Sequence, residues 1–353
     1  LPIDKTKVNT IGVIGPNADS RAALIGNYHG TSSEYITVLE GIREEAGDDV
    51  RILYSQGCDL YKDKVENLAW DQDRISEAVI TAENSDVVIL CVGLNETLEG
   101  EEGDTGNSDA SGDKVDLHLP KVQEELIEKV TAVGKPTIVV LMAGSAIDLN
   151  YAQDNCNGIL LAWYPGARGG RAIADLLFGK ESPSGKLPIT FYKDLEGMPE
   201  FTDYSMKNRT YRYMEKEALY PFGYGLTYSD TCVTEAEVVG EVSAESDIML
   251  KATVKNNGTV DTDEVVQVYI KDLDSPLAVR NYSLCGFKRV SLKAGEEKSV
   301  EFTISNKAMN IVDEDGNRYI AGKHFRLFAG VSQPDTRSAE LTGHKPAEIE
   351  IAL

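Results

Sequence analysis

The sequence has no apolar run approaching the roughly 20 residues that a bilayer-spanning helix needs, so no span and no membrane partner is expected. Basic residues are scarce: 35 Lys and Arg stand against 58 Asp and Glu, a net charge of -23. Phosphate backbones and anionic membrane surfaces are held by clustered Lys and Arg, so nucleic acid is not an expected partner either. Cysteine is sparse and odd in number. Cys58, Cys91, Cys156, Cys232 and Cys285 are scattered with no CxxC spacing, which speaks against a disulfide framework and for a reducing, cytoplasmic setting. The four histidines, His29, His118, His324 and His344, lack partners at ligand spacing, so no metal is expected. A nucleotide fingerprint is missing as well. GVIGPNAD departs from GxGxxG and puts Pro16 where a phosphate wants a backbone N–H, and WYPGARGGRAIADLLFG lacks the Lys and Ser/Thr of a P-loop. No cofactor is therefore expected. The chain opens on Leu1, and LPIDKTKVNT has neither signal-peptide nor helical character, which places the expected natural N-terminus upstream.

At 353 residues the chain exceeds the size at which one hydrophobic core stops growing, and two domains are the default. Its first half alternates short apolar runs with helical periodicity. Thr10 to Gly15, Val50 to Tyr54, Asp86 to Val92, Thr137 to Met142 and Gly158 to Trp163 are strand candidates without polar alternation, as expected of strands covered on both faces. Between them, Thr37 to Ala46, Leu68 to Glu83 and the run KVQEELIEKVTAV after Pro120 carry helical spacing, the last with Val122, Leu126, Ile127 and Val130 on one face. The expected fold class is therefore α/β, a layered sandwich with a mostly parallel sheet. The glycines of WYPGARGG suggest close packing of a helix on that sheet.

Beyond Ser229 the period changes. Asp247 to Lys255, Glu264 to Ile270, Leu284 to Leu292, Ser299 to Ile304 and His324 to Phe328 alternate like strands between turn signals, with no helical pattern among them. An all-β, immunoglobulin-like sandwich is expected there. The aromatic, proline-rich stretch before it forms a seam, giving expected boundaries of 1–195 for the α/β domain, 196–229 for a linker and 230–353 for the β-sandwich.

The chemistry is concentrated in DVVILCVGLNETLEGEEGDTGNSDASGDKVDLHLP. An apolar strand empties into a long segment bearing Glu96, Glu99, Glu101, Glu102 and Asp104. Open α/β sheets bind ligands outside the carboxyl ends of their strands, and loops of this length without a core of their own are often functional. Either a carboxyl-based catalytic loop or an acidic solvated one fits that composition. Neighbouring carboxylates would raise the proton affinity of one among them, which suits a general acid.

Several long motifs at proper spacing, NTIGVIGPNAD, GNYHGTSSEYITVLEGI, WYPGARGGRAIADLLFGKESPSGKLPITF, YPFGYGLTY and VKNNGTVDTDEVVQVYI with GFKRVSLKAGE, closely resemble the carboxyl-terminal half of glycoside hydrolase family 3. The resemblance implies an α/β sandwich followed by a fibronectin type III-like domain. It also implies a retaining exo-β-glycosidase whose Asp nucleophile sits in an amino-terminal (β/α)8 barrel, the barrel being the expected partner and LPID resembling the linker that leaves it. In the family the acid/base Glu lies in a pattern like G-E-G-x-D. GEEGD here places Glu101 at that position, with Asp104 matching the Asp and Glu102 as the alternative. Tyr28, His29 and Asn95 are expected to line the substrate site. GNYHGTSSEYITVLEGI and NRTYRYMEKEALYPFGYG resemble the β-xylosidase branch most, with β-glucosidase close behind. A non-catalytic carbohydrate-binding or scaffold module is the alternative function, and homo-oligomerisation is left open.

Overall fold

A computed structural model describes residues 1–62, 70, 72–100 and 114–353. The chain divides into two compact units, Leu1–Glu181 and Ser182–Leu353. In the first, strands β1 (Thr10–Ile14), β2 (Arg51–Ser55), β3 (Val87–Gly93), β4 (Thr137–Met142) and β5 (Gly158–Leu161) form one sheet in the order β2-β1-β3-β4-β5. Every pairing is parallel. The helices are α1 (Ala22–Ile25), α2 (Val38–Ala46), α3 (Asp73–Glu83), α4 (Lys121–Thr131), α5 (Asn150–Asn155) and α6 (Gly169–Leu177).

Strand side chains alternate between faces. Ile11, Val13, Ile89 and Val140 share a core with Leu39 of α2 and Ile173 of α6. The opposite face meets other helices: a side chain at Gly12 would run into Thr81 and Ser85, at the end of α3 and just beyond it. Both faces are covered, which is why all of β3 and β4 is buried and why these strands carry uninterrupted apolar residues. Thr37 starts α2 with a capping box, its hydroxyl accepting from the Glu40 N–H while the Glu40 carboxylate accepts from the Thr37 N–H.

Two local expectations are corrected. The last glycine of WYPGARGG serves helix against helix rather than helix on sheet: a side chain at Gly170 would overlap the Thr37 carbonyl at the start of α2, and one at Gly41 would overlap Gly170 itself. On α4, the fully buried face is Gln123, Leu126, Ile127 and Val130, with Val122 only half-buried. Gln123, a polar residue outside the expected set, takes the buried place expected for Val122, because its amide has work at the end of β3.

In the second unit, β6 (Phe191–Tyr192) pairs with β7 (Ala218–Tyr220) around the short helix α7 (Thr210–Tyr213). The strands that follow are β8 (Thr231–Val239), β9 (Ile248–Asn256), β10 (Thr262–Asp272), β11 (Ser283–Leu292), β12 (Glu297–Ile304), β13 (Ile311–Val312), β14 (Arg318–Tyr319), β15 (His324–Gly330) and β16 (Ala347–Ala352). Sheets β11-β10-β15-β16 and β12-β9-β8 close over a core that includes Leu250, Val268, Phe302 and Leu327. Their antiparallel pairing gives the expected all-β sandwich. Beyond the last expected strand, α8 (Thr336–Thr342) lies between β15 and β16, capped by Asp335, whose carboxylate accepts from the Ser338 N–H.

Residues 182–229 lie within this second unit, held to β10 by a buried polar row. Lys186 Nζ is 2.8 Å from Glu264 Oε1, with both side chains almost wholly buried, and it also donates to the Gly225 carbonyl. Glu264 accepts further from the Thr231 hydroxyl and the Val265 N–H. Gln267 donates to the Gly223 and Val331 carbonyls and accepts from Tyr269. Removing one member of a buried, satisfied pair leaves the other charge uncompensated, at about 3–5 kcal/mol. Lys186→Met is therefore expected to lower the urea midpoint of the second unit by that order of free energy. Pairing it with Glu264→Leu should recover much of the loss, and chemical denaturation of the single and double variants checks this.

Candidate functional site

The strand order of the first unit reverses beside β1 and β3, and in open α/β sheets the crevice outside the carboxyl ends at such a reversal is the ligand-binding position. Asn17, just past β1, is buried there; its N–H donates to the Cys91 carbonyl and its Nδ2 to the Leu94 carbonyl, both at 3.3 Å. β3 ends on Gly93, whose φ of 142° suits glycine and whose added side chain would overlap the Met142 carbonyl. The Gln123 amide accepts from the Gly93 N–H at 2.8 Å and donates to the Gly93 carbonyl at 2.8 Å and the Leu60 carbonyl at 2.6 Å. A further turn follows, in which the Asn95 carbonyl accepts from the N–H groups of Leu98 and Glu99.

That turn aims Glu99 across the neighbouring strand ends. Its Oε2 accepts the Gly144 N–H, beyond β4, at 2.6 Å and the Tyr164 hydroxyl, beyond β5, also at 2.6 Å. The Tyr164 ring presses on Gly26 and Gly144: a side chain at Gly26 would lie 2.6 Å from Tyr164 Cδ2, and one at Gly144 would lie 3.0 Å from Cε2. Burial, and then the nearby Glu99 carboxylate, push the Tyr164 hydroxyl far above its ordinary pKa, so it remains a donor at any working pH. Lys114 donates to the Ala146 carbonyl at 2.7 Å. Its ammonium is shifted down by burial, against the opposing pull of Glu99 and Asp116. Residues on both sides of 101–113 are thus tied to the same short segment after β4. Along the same edge Asn17 Oδ1, Glu96 Oε2 and Ser145 Oγ are buried with no hydrogen-bond partner among the described residues.

Of the residues expected from sequence, Glu101, Glu102 and Asp104 lie outside the described residues. Asn95 is buried and spends its Oδ1 on the N–H and hydroxyl of Thr97 at 2.9 and 2.7 Å, so it builds the turn. Tyr28 is 81% exposed on the loop after α1, with a left-handed φ of 54°. His29 beside it is exposed, its Nδ1 3.0 Å from the Gly30 carbonyl. Sequence reading assigned no role to Gln123, Tyr164, Gly144 or Lys114. The one local signal was a polar residue inside the apolar stripe of α4.

A doubly covered parallel sheet with a carboxylate-centred polar edge, followed in the chain by an antiparallel β-sandwich, defines a two-part α/β plus β protein. Residues 1–228 match the glycosyl hydrolase family 3 C-terminal domain and residues 264–333 the fibronectin type III-like domain. The chain belongs to glycosyl hydrolase family 3. It is 34% identical to a beta-xylosidase of Formosa agariphila, over 97% of this chain and 47% of that protein. It is 39% identical to a xylan 1,4-beta-xylosidase of Xylanibacter ruminicola, over 75% of this chain and 31% of that one. Among solved structures, a β-glucosidase from Erythrobacter marinus superposes with a TM-score of 0.83 at 30% identity, covering all of this chain and 47% of its own. The chain spans about half the length of such relatives.

At the start of α4, His118 Nδ1 lies 2.9 Å from Glu124 Oε1 and 3.9 Å from Asp148 Oδ2. The hydrogen bond with Glu124 raises the imidazole pKa above its ordinary value, against a smaller opposing effect of burial. Because the folded pKa is raised, the contribution to stability is fully present below the ordinary histidine value of about 6.5 and is lost as pH rises through the folded one. The side chain is more than half exposed, so the effect on stability is small. Proton NMR titration is expected to place the His118 midpoint above that of an ordinary histidine, and Glu124→Gln to bring it down.

Proposed function

We propose that this chain is the carboxyl-terminal half of a retaining exo-acting β-glycosidase. It would release terminal sugars, β-xylosides ahead of β-glucosides, with Glu101 as general acid/base and Glu102 as the alternative. The nucleophilic Asp would come from an amino-terminal (β/α)8 barrel. The observation that carries this reading is that GEEGD, which resembles the family's G-E-G-x-D acid/base pattern with Glu102 in place of its glycine, begins at Gly100, directly after the carboxylate that closes the polar edge of the sheet. The xylosidase names of the two relatives above support the order of substrates.

Retention requires two carboxyl groups about 5 Å apart across the scissile bond. As the Asp carboxylate attacks the anomeric carbon, the C–O bond to the leaving group breaks and Glu101 gives its proton to the departing oxygen. The resulting Glu101 carboxylate then takes a proton from water, whose oxygen displaces the Asp from the sugar. The buried polar atoms of Asn17, Glu96 and Ser145 would face a hydroxyl-rich ligand. Tyr28, exposed and aromatic, would offer a sugar ring an apolar face.

The 353 residues alone are expected to hydrolyse neither aryl β-xylosides nor β-glucosides; turnover by the isolated chain would contradict a site shared with a barrel. In the polypeptide carrying both halves, Glu101→Ala is expected to lose about 10²–10⁴-fold in kcat/KM for poor leaving groups. It should lose far less for dinitrophenyl glycosides, and added azide should restore turnover as a glycosyl azide. The same signature in Glu102→Ala instead would shift the assignment by one residue. Its absence from both would overturn the proposal.

A further inference from the structure

Glu99 and Tyr164 belong to no catalytic pair, yet they form a polar contact that joins three strand ends at the carboxyl edge. The Tyr164 hydroxyl and the Gly144 N–H converge on one oxygen of Glu99, each at 2.6 Å. An oxygen that receives two short hydrogen bonds is engaged as an acceptor and is turned into the sheet edge, which does not suit a residue that must hand a proton to a leaving group. The three partners come from segments following three different strands, β3, β4 and β5. Glu99 also sits two residues before Glu101. On the far side of the acidic segment, Lys114 is fastened two residues along from Gly144, at the Ala146 carbonyl.

We infer that Glu99 and Tyr164 are positioning residues for the proton donor: the bond from the Tyr164 hydroxyl, with the Gly144 N–H, fixes where the chain leaves the sheet on its way to Glu101. This inference rests on Glu101 being the acid/base. General acid catalysis tolerates little displacement, and misplacement by about 1 Å can cost on the order of 100-fold. A reacting group is held only as well as the residues that lead to it, so a supporting contact on the described residues just before it counts. The bond spans 65 residues of sequence, so it is a tertiary lock rather than a local turn. Tyr164 suits the task, since its ring packs against two glycine positions and its hydroxyl does not ionise in the working range.

The test uses the polypeptide that carries both halves, with phenyl β-xyloside as the poor leaving group and dinitrophenyl β-xyloside as the activated one. Tyr164→Phe and Glu99→Ala are each expected to lower kcat/KM for the phenyl glycoside by roughly 10- to 100-fold. Both should stay within about threefold of the parent on the dinitrophenyl glycoside, which needs no acid and so reports that the barrel and its nucleophile are intact. Glu99→Gln keeps an amide oxygen that accepts the same two bonds and should recover to within about threefold on both substrates. Because the two residues act through one bond, the Tyr164→Phe/Glu99→Ala double variant should be no worse than the poorer single variant.

Equal losses on both substrates would assign these residues a purely structural role and overturn the inference, as would unchanged rates on both. If Glu99→Gln is as inactive as Glu99→Ala on the phenyl glycoside and azide rescues it, Glu99 is itself the donor and the inference fails. Glu101→Ala is measured alongside. Azide rescue there, with unaltered Tyr164→Phe, leaves the glycosidase reading standing and overturns only the positioning role. No acid/base signature in Glu101→Ala overturns the reading beneath it.

Discussion

The edge of the first unit depends on a single buried amide. β3 is paired on both sides and covered on both faces, so its last residue must turn away while its peptide groups remain in the interior. Gly93 makes the turn geometrically possible, and the fully buried Gln123 satisfies its N–H and carbonyl together with the carbonyl of Leu60. A buried peptide group left without such a partner costs about 1–3 kcal/mol. An aliphatic residue at 123 would suit the stripe of α4 better and would leave the end of β3 without that partner.

From this turn the polar chain runs outward in short steps. Leu94 donates to the Met142 carbonyl, Asn95 closes on Thr97, and Glu99 reaches the segments beyond β4 and β5. The first unit thus divides its stabilising forces by position, with apolar burial within the strands and directed hydrogen bonds at their carboxyl ends. The division follows from backbone chemistry, because strand ends are where N–H and carbonyl groups lose their ladder partners. The second unit shows the same rule inverted. Its polar row of Lys186, Glu264 and Gln267 is buried against a strand, and it holds a segment that has little regular structure of its own.

The five parallel strands and five of the seven strands in the sandwich sheets, all but β8 and β16, were legible because burial on two faces or on one leaves a direct trace in apolar spacing. The short helices α1, α5, α7 and α8 left no such trace, since four to seven residues do not complete a readable period. The site was legible only where chemistry is local. Acidic residues crowding after an apolar strand marked the carboxyl end of β3, but Glu99 looked like one carboxylate among several until Gly144 and Tyr164, 45 and 65 residues away, were brought to it. Asn95 was read as a binding residue because it stands beside the acidic run. The structure adds a role in the turn, where its Oδ1 accepts from Thr97, as Asn commonly closes on a nearby backbone N–H.

Strain is distributed unevenly over the first unit, and its placement bears on the site. Tyr28, Gln72 and Trp163 are the non-glycine residues there with positive φ among those described. Tyr28 and Trp163 are bulky aromatics, for which this conformation costs about 1–3 kcal/mol and persists only where surrounding structure imposes it. Trp163 immediately precedes Tyr164, and Tyr28 stands two residues after Gly26, on which the Tyr164 ring rests. The two loops are also joined directly, Gly166 donating to the Leu24 carbonyl at 2.7 Å. Strained aromatics thus flank the ring whose hydroxyl, with the Gly144 N–H, donates to Glu99 across the strand ends, a placement that a demand for position explains better than a demand for stability.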